Sequence, residues 1–144
     1  MELRFQRLRD EASLPSVHHA GDAGLDLRAA EGTKVEPGQR AMVPTGVAVA
    51  IPDGHAGLVL PRSGLAAKRG LTLANAPGLI DAGYRGEVIV ALVNLDREDP
   101  VVIEPGDRIA QLVVVEVPRV EPTWTQELPA SERGTGGFGS TGTS

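Results

Sequence analysis

A chain of 144 residues with 41% hydrophobic content is long enough for one domain with a real core. Its formal net charge of -5 argues against nucleic-acid binding, which needs a basic face to meet phosphates, but leaves room for a small anion held by a few arginines. The absence of cysteine excludes disulfides, thiolate chemistry and Cys-type zinc sites.

The chain opens MELRFQRLRDEASLP, which mixes charges and has no apolar stretch, so no signal peptide is expected. No run of about 18 apolar residues follows, so no membrane span is expected and a cytoplasmic protein is the default. His18-His19 could suggest a metal, but neighbouring side chains point apart, and a solvated loop is the plainer reading. In AGDAGLDLRA, Asp26 stands between Leu25 and Leu27 near a strand start. An acid facing inward there needs an arginine or a hydrated metal.

The 18 Gly and 11 Pro break the chain into short pieces, with β-branched runs between them. Glu36-Pro37-Gly38 and Glu104-Pro105-Gly106 read as one turn type used twice, with Pro at the second position and Gly at the third. Asp99-Pro100 marks another turn. Val47, Val49 and Ile51 alternate with Ala48 and Ala50, a period of two. Asp53-Gly54 then predicts a hairpin, with AGLVL returning as the partner strand. EVIVALVNL (87–95) and RIAQLVVVEV (108–117) are nearly continuous apolar runs, predicted as strands buried on both faces. Many short strands between regular turns predict an all-β sandwich, barrel or jelly roll.

One short helix is predicted in SGLAAKRG. Ser63 is its expected N-cap, Lys68 and Arg69 lie at its C-terminal end, and Gly70 stops it. Arg62 and Ser63 either seat a phosphate at the helix entrance or merely pair with a surface acid and cap the helix. In TLANAPGLIDAGYRGEV, Asn75, Asp81 and the single tyrosine, Tyr84, either form a site or stabilise a plain hairpin. Gln111 is the one polar residue within IAQLVVV. It is either hydrogen-bonded in the core or turned into a site.

The tail RGTGGFGSTGTS spells G-x-G-x-x-G at Gly134, Gly136 and Gly139. It follows no strand and opens no helix, so a dinucleotide-binding reading fails on context. Its side chains offer more. Arg133 is a fork for a phosphate, Ser140 and Thr141 carry hydroxyls, and Phe138 has a flat face for a base. The alternative is a frayed terminus, disordered in the free protein.

Five stretches in this order, AGLDLRA, PRSG, GLIDAGYRGEV, GDRIAQLVV and RGTGGFGSTG, resemble the five motifs of the trimeric dUTPases (deoxyuridine 5′-triphosphate nucleotidohydrolases). The likeness spans residues 23 to 142. It implies an all-β, jelly-roll-like β-barrel with one short helix and a flexible C-terminal tail. Residues 1–130 would be the catalytic domain and residues 131–144 a lid. It also implies a homotrimer with sites shared between subunits, one giving PRSG and the fourth motif, a second the third motif, and the third its tail. The implied reaction converts dUTP to dUMP and pyrophosphate by water attack on the α-phosphorus. That lowers dUTP and supplies dUMP for thymidine nucleotide synthesis.

The same resemblance implies the roles. Asp81, as a buried acid, would deprotonate the water. Asn75, Leu79 and Ile80 would line the uracil in a narrow hairpin, and Tyr84 would pack under the sugar. Arg62, Ser63, Gly64 and Gln111 would grip the phosphates. Arg133 would take the γ-phosphate, Phe138 would cover the base, and Gly139, Ser140 and Thr141 would close the phosphate end. Mg²⁺ would ride on the triphosphate with no direct protein ligand, and Asp26 would approach it through water or orient Arg62. A dCTP deaminase shares this fold, but its catalytic glutamate is replaced here by Ala91. A non-catalytic nucleotide-binding module is the remaining alternative, which retention of Asp81, Tyr84 and the whole tail argues against.

Overall fold

The period-two segment lies in a long strand, β4 (Arg40–Ala50), where Val47 and Val49 are buried. Ala48 is buried as well, and the N-terminal segment packs close on this strand at Gly46, where a Cβ would come within 2.7 Å of the Ala12 Cβ. The structure, a computed structural model, describes residues 1–142. The preceding strands are β1 (Arg4–Arg7), β2 (Leu25–Arg28) and β3 (Thr33–Val35). After β4 come β5 (His55–Leu60), helix α1 (Ser63–Arg69), β6 (Leu71–Leu73) and β7 (Gly78–Ile80). The last three strands are β8 (Glu87–Asn94), β9 (Val101–Ile103) and β10 (Arg108–Glu116).

One four-stranded sheet runs β1-β4-β8-β6, a second runs β2-β10-β5-β7, and β3 pairs with β9. The two larger sheets enclose an aliphatic core that includes Leu27, Ile109 and Leu112 from one and Val49, Val90, Leu92 and Leu71 from the other. This is the expected jelly-roll-like, all-β architecture. The sheets face each other across the core rather than closing into one barrel.

Several local expectations change. Asp53-Gly54 does turn the chain, with Gly54 at φ 74° and the His55 N–H donating to the Pro52 carbonyl at 3.1 Å. It makes no hairpin: β4 stays in the first sheet, while β5 pairs with β10 and β7 in the second. Both strands have apolar faces to bury, and placing them on opposite walls of the core buries both. The same holds for β6 and β7, which pair with β8 and β5 respectively, so the segment around Asn75 bridges two sheets and is not a hairpin. β1 escaped the sequence reading. Its signal is the alternation of half-buried Leu3 and Phe5 with exposed Arg4 and Gln6, and it pairs with the end of β4.

β8 is not buried on both faces. Val88, Val90, Leu92 and Asn94 point inward, whereas Ile89 is 47% exposed beside Met42, which is 67% exposed. The outward face is apolar too, but among the described residues no layer covers it. β10 is similar, with Leu112 fully buried and Val113 and Val115 only half-buried. The repeated Pro-Gly turns are as expected: Gly38 and Gly106 have φ of 74° and 90°, and Gln39 and Asp107 donate to the Glu36 and Glu104 carbonyls.

At the end of β8, fully buried Asn94 ties three segments together. Its Nδ2 donates to the carbonyls of Val35 (3.0 Å) and Asp99 (2.9 Å), and its Oδ1 accepts from the Asp96 N–H (2.9 Å). Asp96 in turn accepts from the Asp99 and Glu98 amides, which hold its carboxyl below the usual carboxylate range. Leucine at position 94 would fill the space but strand these backbone groups, each worth about 1–3 kcal/mol when buried and unpaired. Asn94→Leu is therefore expected to lower unfolding free energy by about 2–5 kcal/mol in urea titrations. An unchanged midpoint would refute the tie.

Candidate active site

The candidate site residues fall into two cavities and a separate tail. The first cavity, of about 480 Å³, lies where α1 meets β2 and β10, and is lined by Asp26, Arg62, Ser63, Gly64, Arg108 and Gln111, among others. Ser63 is not the N-cap. That position belongs to Arg62, in extended backbone (φ -88°, ψ 125°), and no side chain caps the helix. The first-turn N–H groups therefore keep no side-chain partner. Gly70 ends the helix in the left-handed region (φ 64°), after Lys68 and Arg69, as expected.

Asp26 is the electrostatic hub of this cavity. Its carboxylate, 13% exposed, sits 3.6 Å from Arg62 Nε and 3.3 Å from Arg108 Nη1. One carboxylate thus faces two guanidinium groups, so an arginine partner for the inward acid at position 26 is present. Arg108 was given no role from the sequence, where it appears only as the first residue of the apolar run 108–117. Gln111 is half-buried and lines the cavity, while its Nε2 donates to the Pro61 carbonyl at 3.1 Å. Gly24 leaves it room: a Cβ there would lie 2.5 Å from Gln111 Oε1. The rings of His18 and His19 do not point apart. They meet edge to face at 4.4 Å, both exposed, and His18 Nδ1 lies 3.2 Å from Arg108 Nη1.

The second cavity, of about 330 Å³, is lined by Asn75, Leu79, Ile80, Asp81, Tyr84, Glu87 and Ala91, among others. Asp81 follows β7 directly and starts a tight turn in which the Tyr84 N–H donates to the Asp81 carbonyl at 3.0 Å. Its side chain is exposed rather than buried, because among the described residues nothing covers the turn from outside. Leu79 is outward and Ile80 points into the core, so only the backbone of Ile80 is available to a ligand. The Tyr84 hydroxyl donates to the Glu87 carbonyl at 2.9 Å. Glu87, a second missed residue, accepts from Arg9 and from the Gly46 N–H. Arg9, raised above its ordinary pKa chiefly by its hydrogen bond with Glu87, was missed as well.

The tail reaches neither cavity. Past Glu116 the described residues form no strand or helix, and their hydrogen bonds from residue 131 onward run only within the segment. Arg133 Nε donates to the Gly136 carbonyl at 2.8 Å, Phe138 is fully exposed at φ 50°, and Gly139, Ser140 and Thr141 are exposed. The last two residues of the predicted lid, Thr143 and Ser144, lie outside the described residues.

Among the described residues no three His, Cys, Asp or Glu side chains converge as a metal site. The first cavity holds Asp22 and Asp26 beside two arginines, a donor set suited to an anion or to a metal already complexed by one. No helix among the described residues is long and apolar enough to cross a membrane.

A family model described as dUTPase matches residues 10–142. The chain is 54% identical over 142 residues to a deoxyuridine 5′-triphosphate nucleotidohydrolase of Streptomyces avermitilis, covering 99% of this chain and 81% of that protein. It is 57% identical over 129 residues to the one of Leifsonia xyli, covering 90% and 85%. A mutant dUTPase of Staphylococcus bacteriophage 80alpha with dUpNHpp superposes with a TM-score of 0.93 at 34% identity, covering 99% of both chains. A mutant dUTPase from phage phi11 of S. aureus, described as coordinating a structural Mg(II) ion, superposes at 0.82 with 30% identity, covering 88% and 98%.

Proposed function

The chain belongs to the dUTPase family, and from that premise we propose how its residues carry the reaction. It hydrolyses dUTP to dUMP and pyrophosphate, lowering dUTP and supplying dUMP for thymidine nucleotide synthesis. The observation that carries the assignment of roles is the division of labour between the two cavities. One presents arginines, a serine and helix N–H groups, the chemistry of a triphosphate grip. The other presents an amide, a tyrosine and an unencumbered carboxylate, the chemistry of a nucleoside and an attacking water.

Arg62, Ser63, Gly64 and Gln111 bind the phosphates, with Asp26 setting the direction of Arg62 and Arg108. Asn75 and the backbone at Leu79 and Ile80 read the uracil edge. Tyr84 packs under the sugar and crowds out a 2′-hydroxyl. Asp81 takes a proton from water as its oxygen bonds to the α-phosphorus. The bond from that phosphorus to the bridging oxygen breaks, and pyrophosphate leaves with the electron pair. Mg²⁺ arriving with the substrate would supply charge neutralisation that an acidic protein cannot, without a direct protein ligand, and Asp26 is the side chain that would face it through water.

Neither cavity alone is a complete site, and the tail serves neither in its own chain. The outward apolar face around Met42 and Ile89 is likewise uncovered. Both facts support a homotrimer in which one subunit gives the phosphate grip, a second gives Asp81 and Tyr84, and the third gives its tail. Residues 1–130 act as the catalytic domain and residues 131–144 as the lid, with Arg133 on the γ-phosphate, Phe138 over the base and Gly139, Ser140 and Thr141 at the phosphate end. A cytoplasmic location fits an enzyme acting on free nucleotides. The test is product analysis with dUTP, dCTP, dTTP and UTP side by side. The expected result is dUMP and pyrophosphate from dUTP, with the others turned over far more slowly. Formation of dUTP from dCTP would identify a deaminase and overturn the reading.

A further inference from the structure

We infer that Arg9, in the N-terminal segment, is a positioning residue for sugar discrimination and acts on Tyr84 through Glu87. The inference rests on the reading above that Tyr84 faces the sugar. The hydroxyl of Tyr84 is held by the main-chain carbonyl of Glu87 at 2.9 Å. The ring lies so close over this turn that a Cβ at Gly86 would come within 2.4 Å of its hydroxyl oxygen. The place of the ring therefore follows the place of the Glu87 backbone.

That backbone is pinned by its own side chain. Glu87 Oε1 accepts from the Gly46 N–H at 2.8 Å and from Arg9 Nε at 2.9 Å, and Oε2 accepts from Arg9 Nη2 at 3.2 Å. Gly46 (φ 73°) lies in the irregular stretch of the β4–β8 ladder, between Pro44 and Ala48, where the Glu87 carboxylate supplies what strand pairing does not. Arg9 is fixed in turn by an ion pair with Glu31, and the Leu8 N–H donates to the Gly46 carbonyl at 2.8 Å. A forked guanidinium on a mostly buried carboxylate, 18% exposed, fixes both position and angle, which a point charge cannot do. Arg9 also neutralises the carboxylate of Glu87, a residue that lines the nucleoside cavity.

The test compares kcat and KM for dUTP and UTP in four variants, with melting temperature and subunit assembly measured alongside. Tyr84→Ala reports whether the ring discriminates at all. Arg9→Met removes the fork, Arg9→Lys keeps the charge without it, and Arg9→Met with Glu87→Gln removes the unpaired charge as well. The expected result is a roughly tenfold drop in the dUTP-to-UTP ratio of kcat/KM for Arg9→Met, mostly through KM for dUTP. Arg9→Lys is expected to be intermediate, and the double variant to lower KM for both nucleotides by the same factor relative to Arg9→Met, leaving the ratio low. If Tyr84→Ala lowers the ratio while folded Arg9→Met and Arg9→Lys leave it unchanged, the inference fails and the sugar reading stands. If Tyr84→Ala leaves the ratio unchanged, both fail. Should Arg9→Met not fold, Arg9→Lys decides the matter alone.

Discussion

Asp81→Asn is expected to bind nucleotide as the parent does and to turn it over about 10²–10⁴-fold more slowly, the usual worth of a general base. The substitution is well suited to the question because it leaves the local structure alone. The main-chain oxygen of Asp81, not its carboxylate, accepts the Tyr84 N–H that closes the turn. Among the described residues its side chain makes no hydrogen bond and is exposed, so folding does not depend on its charge. Asparagine can still orient a water but cannot take its proton. The loss should therefore sit in kcat, with binding of a non-hydrolysable dUTP analogue preserved. A near-parental kcat would remove Asp81 from the role of base.

Truncation after Glu132 is expected to leave fold and assembly intact while lowering kcat/KM by about 10²-fold or more, since closure both orients substrate and excludes water. The last main-chain bond from the C-terminal segment to the body is the Val117 N–H to the Gly54 carbonyl at 2.8 Å. Among the described residues, those removed by the truncation bond only to one another and to Ser131, so the melting temperature should not move. Mixing truncated chains with full-length Asp81→Asn chains goes further. If the tail serves a site whose Asp81 belongs to another subunit, mixed trimers regain activity that neither parent has. If tail and Asp81 act from the same chain, mixing restores nothing. Full activity in the truncated protein would end the lid reading outright.

The sequence by itself determined what could be read from short-range rules. The Pro-Gly turns need only a fixed φ at one residue and freedom at the next, so both form as written. The runs at 87–94 and 108–116 are strands, in keeping with their density of β-branched residues, and AGLVL at 56–60 is one through its apolar content next to a turn. The ordered motifs identified the family, since each preserves a local backbone shape with a side chain on it. What only the tertiary structure decided is everything that depends on partners far apart in the chain. Asp53-Gly54 looks like a hairpin because local signals report a reversal but not which sheet the strand joins next. Arg108 joins Asp26 across 82 residues, and Arg9 joins Glu87 across 78, at spacings no periodicity encodes. The continuous apolar runs announced burial on two faces, yet one face of β8 stays uncovered in the single chain. Hydrophobicity tells a strand to bury itself, but only the packed fold shows which face its own chain can cover.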